Sequence, residues 1–390
     1  MPGKSLEQQS VMVEQSCRRC RTNPAVLVVR TEPVCGECFS KYVHTKVIKR
    51  MESFRVRFTS PDQLRKILLP ISFGISSVSL LHILDRQLQT QKSKTGRTGY
   101  SLHVIHVDTS SVEPSAPDAG LLSQLKDRYP HHIYASVPLH ELFMSSADGS
   151  PSEAYKDLTE DSSLEDMPAD QKLLFLIGSL PSATARADVI STLRTRLLVQ
   201  CAKDLGCEGI LWGDSTTRLA EKTLAETAKG RGFALPWQIG DGDSPFGLTF
   251  NYPVRDLLKK ELTAYASITE PPLFPLIYEP PKTSQPAPSS KSTTIDDLMK
   301  QYFESVEENF PSIVSNVVRT TTKLEAPSTF LSEARCKLCN MPVADGRFGI
   351  HGWGGDQEDG LDISGKPSRE LCYGCTRSVP PTVTLSQGVK

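Results

Sequence analysis

Lys66-Ile67-Leu68-Leu69-Pro70-Ile71-Ser72-Phe73-Gly74-Ile75-Ser76-Ser77 is the stretch that decides the fold. Its first part is a continuous apolar run of strand length, as expected for a strand buried on both faces. Pro70 cannot donate to a ladder, which counts against a strand there. Gly74 closes the run. From Ser76 to Gln89 the residues Val78, Leu81, Leu84 and Leu88 recur at near-helical spacing. A strand, a serine-rich turn and a helix form the geometry in which backbone N–H groups cradle an anion. The same pattern also serves as a plain N-cap.

Working outward, strands are expected at Leu102 to Val107, His132 to Leu139 and Gly209 to Trp212. Helices are expected at Leu121 to Tyr129, Gln171 to Ile177, Val189 to Leu205, Thr216 to Lys229, Val254 to Tyr265 and Ile295 to Glu308. Strands alternating with helices predict an α/β fold with a parallel sheet covered on both faces. His103, His106 and Asp108 near the end of the second strand read as strand-edge or loop-capping groups, with a nucleotide contact as the minor alternative.

Of the 10 cysteines, eight fall in four Cys-x-x-Cys pairs: Cys17/Cys20, Cys35/Cys38, Cys336/Cys339 and Cys372/Cys375. The chain opens without the apolar stretch of a signal peptide, so a soluble cytosolic or nuclear protein is expected, where thiols stay reduced. Two such pairs can close a tetrahedral four-thiolate site, so two structural zinc ions are expected, one near each end. Iron–sulfur ligation is the alternative. Cys201 and Cys207 read as small packed hydrophobes.

Lys+Arg is 44 and Asp+Glu is 45, which excludes a globally basic nucleic-acid coat. The balance hides a segregation. Residues 17–66 carry 12 Lys/Arg against 4 Asp/Glu, and residues 140–171 carry 9 Asp/Glu against Lys156 alone. Arg18, Arg19, Arg21, Lys46, Lys49 and Arg50 are therefore candidates for phosphate contacts of an RNA, the alternative being a solvated face. The domain plan is a disordered start (1–14), a four-Cys zinc module with a basic helix following it (15–60) and an α/β domain (61–278) broken by an acidic loop at about 140–170. A Pro/Ser-rich linker (279–294), a helical segment (295–333), a zinc ribbon (334–378) and a tail (379–390) complete it. Loops inside the ribbon are marked by Asp345-Gly346, Gly352 to Gly355 and Asp359-Gly360.

The order of these parts resembles the PP-loop ATP pyrophosphatase superfamily, whose signature is Ser-Gly-Gly-x-Asp-Ser and whose core is adenine nucleotide alpha hydrolase-like. More narrowly, the two Cys-pair modules and the Leu69-Pro70-Ile71-Ser72-Phe73-Gly74 run resemble the cytoplasmic tRNA 2-thiolation protein 2 family. The resemblance implies a heterodimer with a catalytic PP-loop subunit and wobble-uridine 2-thiolation of tRNAs for lysine, glutamate and glutamine. It also implies a thiocarboxylated ubiquitin-related modifier as sulfur carrier, and a link to protein urmylation.

Against the signature, Ser72, Gly74 and Ser77 match. Phe73 replaces a glycine, and its ring is expected to crowd the backbone approach of a phosphate. Ser76 replaces the aspartate. Where active relatives carry Gly-His-Asn-x-Asp-Asp-x-x-Glu, this chain reads Gly213-Asp214-Ser215-Thr216-Thr217-Arg218-Leu219-Ala220-Glu221, with Thr217 and Arg218 in place of two carboxylates. The segments 178–187 and 270–281, where thiolating relatives place further cysteines, have none. Sulfur transfer needs a thiolate. The expected role is a non-catalytic subunit supporting its partner and tRNA binding, with ATP binding doubtful. Two alternatives stay open: an adenylating enzyme rebuilt around Ser72, Ser77 and Arg218, and a zinc-containing RNA-binding adaptor.

Overall fold

A computed structural model of the chain describes residues 16–29, 31–58, 64–118, 120–144, 167–279, 292–326, 334–343, 349 and 371–379. The expected disordered start, the body of the acidic loop, most of the linker, the loops marked inside the C-terminal ribbon and nearly all of the tail lie outside the described residues.

The strands are β1 (Leu27–Val29), β2 (Glu32–Val34), β3 (Arg65–Pro70), β4 (Tyr100–Asp108), β5 (Ile133–Pro138), β6 (Gly209–Leu211), β7 (Gly242–Asp243) and β8 (Thr249–Asn251). The helices are α1 (Gly36–Arg50), α2 (Ile75–Thr95), α3 (Gly120–Arg128), α4 (Ala169–Gly178), α5 (Ala183–Asp204), α6 (Thr216–Ala228), α7 (Leu235–Ile239), α8 (Lys259–Ile268), α9 (Ile295–Asn309), α10 (Pro311–Thr321) and α11 (Tyr373–Ser378). β1 and β2 form a small antiparallel hairpin. The main sheet has the order β5-β4-β3-β6-β8-β7. Its first five strands are parallel, and only β7 runs antiparallel to its neighbour. No described helix is long and apolar enough to cross a membrane.

The central strands alternate between two cores. Ile67, Leu69, Ile71, Leu102 and Val104 face one layer with α1, α2 and α8. Leu68, Ile105, Val107 and Ile210 face the other, with α4, α5, α6, α9 and α10. Both faces are covered, as the apolar runs predicted. Pro70 is the last residue of β3, so its missing N–H interrupts nothing.

Two expectations are corrected. The helix expected from Val254 begins only at Lys259, because Thr216 takes the carbonyls of residues 255 and 257: its Oγ1 donates to Arg255 O at 2.6 Å and its N–H to Leu257 O at 2.8 Å. The basic helix does not follow the N-terminal module but starts inside it, with Cys35 as the N-cap of α1 and Cys38 in its first turn.

α1, α2 and α8 are joined by a histidine–tyrosine cluster. His44 Nε2 lies 2.7 Å from the Tyr265 hydroxyl, and His82 Nδ1 lies 3.0 Å from that of Tyr129. Burial holds both imidazoles down to about 4, reinforced by Arg86. Unfolded, they titrate near 6.5. The folded state thus binds fewer protons, so its stability is complete above about pH 6.5 and drains away as pH falls toward 4. At pH 5 the loss is at most about 2 kcal/mol per imidazole, less for His44, which is only part-buried. Urea midpoints should fall between pH 7 and pH 5, and His82→Phe should blunt the fall. An unchanged midpoint would contradict this account.

Candidate functional site

β3 and β6 are adjacent although far apart in sequence, so the crevice between their carboxyl ends is the switch point of the sheet, where α/β folds bind ligands. The loop before α2 and the loop before α6 meet there. Gly213 is pressed on Ser77: a Cβ would fall 2.8 Å from the Ser77 Cα, so only glycine fits.

Phe73 has φ +57°, a left-handed conformation that costs an L-residue about 1–2 kcal/mol. Its ring is fully buried, 4.8 Å from the ring of His106. This corrects the expectation that the ring obstructs a phosphate: the peptide keeps a turn suited to glycine, while the ring fills the core. The loop spends its polar groups on itself. Ser77 Oγ donates to Gly74 O at 3.1 Å and lies 3.2 Å from Ser72 Oγ, and Gly74 N–H points to Ser72 Oγ at 3.4 Å. Tyr278 N–H binds the Phe73 carbonyl at 2.9 Å, laying a strap over the turn. Ser72 is exposed and Ser76 half-buried. His106 Nδ1 lies 3.0 Å from Ile71 O, and Asp108 accepts from Ser110 N–H at 2.9 Å, which is loop capping.

At the second loop Ser215 caps α6 by accepting from Arg218 N–H. Thr217 is fully buried, and its hydroxyl donates to Glu307 Oε2 at 2.6 Å while accepting from Lys259 N–H at 2.9 Å. Glu307 Oε1 accepts from Lys260 N–H at 2.8 Å. A carboxylate from α9 thus occupies the first turn of α8 beside the threonine. Glu221 is buried and held by Arg218 at 3.0 Å, and burial pushes its carboxyl above the usual range. Sequence reasoning missed Glu307, which lies outside every motif.

The two cysteine clusters are built alike. In each, all four Sγ atoms lie within 4.8 Å of one another. In each, the first pair sits on a knuckle closed by a left-handed residue: Arg21 (φ +61°), whose N–H binds Cys17 O, and Asn340 (φ +56°), whose N–H binds Cys336 O. The second pair sits at a helix start, with Cys35 capping α1 and Cys372 capping α11. Sulfurs about 2.3 Å from a tetrahedral ion stand roughly 3.8 Å apart. Cys20 and Cys35 are 3.8 Å apart and Cys339 and Cys372 are 3.9 Å apart, so both sets fit a metal ion. Donors from Thr22 and Asn23 pull the Cys20 thiol down to about 6, toward the ligating thiolate. Cys201 and Cys207 stay apart from both clusters, and burial pushes each thiol up to about 11.

The C-terminal cluster is docked on a buried charge network. Arg231 donates to Asp188 Oδ2 at 2.8 Å and to Glu226 Oε2 at 2.7 Å. Lys229 pairs with Glu226 at 2.8 Å and Asp296 at 3.0 Å. Ser378 of α11 donates to Asp188 at 2.6 Å. Burial raises the Asp188 carboxyl, but Arg231 and Lys229 outweigh it and hold it below the usual range. Gly374 lies so close to this turn that a Cβ would meet Arg231 Cγ at 2.5 Å.

The basic candidates divide. Arg50 is tied to Asp256 at 2.8 Å and Asp241 at 3.3 Å, and Arg19 to Glu32 at 3.3 Å. Arg18 and Arg21 are exposed on the knuckle. Arg19, Lys46, Lys49 and Arg50 line one groove of about 870 Å³ together with Lys41 and Tyr42. The Tyr42 ring lies under Arg19 at 5.0 Å and near Lys46 at 5.7 Å. Lys41 was missed, although α1 carries a signal for it: burial of Phe39, Val43 and Val47 leaves Lys41 and Lys49 on the open side.

Residues 294–349 match a family model described as cytoplasmic tRNA 2-thiolation protein 2. A protein of that name from Phaeosphaeria nodorum is 59% identical over 383 residues, covering 97% of this chain and 98% of its own. Another from Pyrenophora tritici-repentis is 56% identical over 390 residues, covering 100% of both. The chain belongs to the cytoplasmic tRNA 2-thiolation protein 2 family. Among solved structures, the U34-tRNA thiolase NcsA from Methanococcus maripaludis, determined with its 4Fe–4S cluster, is similar with TM-score 0.53 at 16% identity, covering 89% of this chain and 99% of that one. That likeness shows a shared fold. The segment matched by the family model includes α9, which carries Glu307, α10 and the first C-terminal knuckle.

Proposed function

We propose that the chain is a non-catalytic subunit of a cytoplasmic tRNA 2-thiolation complex, paired with a catalytic PP-loop subunit. The observation that carries this reading is the Thr217–Glu307 clamp. Where active relatives of the fold present carboxylates, this chain presents a threonine hydroxyl, and the carboxylate beside it is already consumed by that hydroxyl and a backbone N–H. Each oxygen of that carboxylate already accepts a hydrogen bond inside the fold, and the group is buried, so it works as a structural acceptor. The lack of cysteine in 178–187 and 270–281 supports the same reading, since no thiolate is offered there to carry sulfur.

The substrates would be the wobble uridines of tRNAs for lysine, glutamate and glutamine, with sulfur delivered by a thiocarboxylated ubiquitin-related modifier, and protein urmylation would share that modifier. Zinc would hold each four-Cys set, where the chain's own role is to keep four thiolates converged. The groove under α1 would take tRNA phosphates. The expected result is that the purified chain, given tRNA, ATP and a sulfur donor, forms no 2-thiouridine and releases no pyrophosphate. Adding the catalytic subunit should restore thiolation, and size measurement should show a one-to-one complex. 2-Thiouridine made by this chain alone would sink the proposal.

A further inference from the structure

The two cysteine centres share a plan but not an environment. In the C-terminal set Cys336, Cys372 and Cys375 are 0%, 1% and 0% exposed and Cys339 is 8% exposed. α5 covers this set, with Arg196 donating to Lys337 O at 2.6 Å and Leu338 O at 3.1 Å. In the N-terminal set Cys17 and Cys35 are buried, but Cys20 and Cys38 are only partly so. Both of these stand in the wall of the groove that carries Lys41, Lys46 and Lys49. Among the described residues the one carboxylate in that wall, Asp256, is already paired with Arg50.

We infer that the N-terminal centre is the exchangeable one of the two: Cys20 and Cys38 open its ion to an anionic metal acceptor that arrives through the basic groove, while the C-terminal centre retains its ion. This rests on the reading of both clusters as metal centres. Ligand exchange needs an incoming donor to reach the ion before a sulfur leaves, and only the N-terminal set offers sulfurs at a surface. The groove cations raise the local concentration of a carboxylate- or thiolate-bearing acceptor. Were the ion to leave, the four thiolates would be freed at the same oxidation state, each staying ionised or taking a proton from the buffer, so no oxidant would be required.

The test begins with the full chain loaded with zinc and its bound ions counted. Fewer than two ions per chain overturns the metal-centre reading itself. EDTA is then added in excess, zinc release is followed in time, and samples are alkylated with N-ethylmaleimide for mass spectrometry. The expected result is two phases of one ion each, the first about tenfold faster or more, with Cys20 and Cys38 alkylated before Cys372 and Cys375. Lys41→Glu with Lys49→Glu, two exposed positions whose exchange leaves the core intact, should slow the first phase several-fold and leave the second unchanged. Release in a single phase, or earlier alkylation of the C-terminal set, overturns the inference. A first phase indifferent to the two lysines overturns the part given to the groove.

Discussion

Replacing Arg231 by methionine is expected to cost the fold about 3–5 kcal/mol, because it strands Asp188 and Glu226 as buried acids with Lys229 as their remaining cation. Arg231 is 2% exposed and its guanidinium spans two carboxylates, which no apolar side chain can match. Lysine is a poor rescue, since a single ammonium cannot make the paired, planar contacts. The damage should extend to the C-terminal cluster, because Ser378 reaches the same Asp188 and Gly374 packs on the same arginine. Urea denaturation gives the stability, and alkylation of Cys372 and Cys375 reports the undocking. A variant within about 1 kcal/mol of the parent, with those thiols still protected, would contradict the account.

The second large effect is at Thr217. Thr217→Asp sets a carboxylate against Glu307 in a fully buried site, where the present contact is 2.6 Å. Two acids so close cannot both ionise, and the cost at neutral pH is about 3–5 kcal/mol. One of the pair then has a raised pKa in the fold, so the folded variant binds an extra proton. Its deficit is therefore full at neutral pH and shrinks as pH falls through that raised value. Thr217→Asp with Glu307→Gln should recover much of the loss, since the amide donates where the carboxylate repelled. Additive losses in the double variant would refute the coupling.

The parts legible in the sequence were those written in local pattern. Ile67 to Ile71, with the helical spacing of Val78, Leu81, Leu84 and Leu88, marked the central strand, the turn and the helix behind it. The Cys-x-x-Cys spacings marked both clusters. The misplaced helix at Val254 shows the limit, because its apolar residues are periodic while their carbonyls are taken by Thr216, which is 39 residues away in sequence from Arg255. Glu307 was illegible for the same reason: its partner lies 90 residues earlier, and nothing in an amphipathic helix marks one glutamate as buried. Asp188, Glu226, Lys229 and Arg231 look like ordinary surface charges until the fold closes over them. Phe73 was assigned to the right turn with the wrong direction, since a side chain's heading depends on a backbone angle that residue type does not reveal.

The seating of the two clusters has one more consequence. Cys17 and Cys35 belong to the hydrophobic layer on one side of the sheet, and Cys336, Cys339, Cys372 and Cys375 to the layer on the other. Neither is a finger swinging on a tether. Each is a rivet set into the layer beside it, so disturbance of either cluster would loosen the packing on its own side of the sheet first.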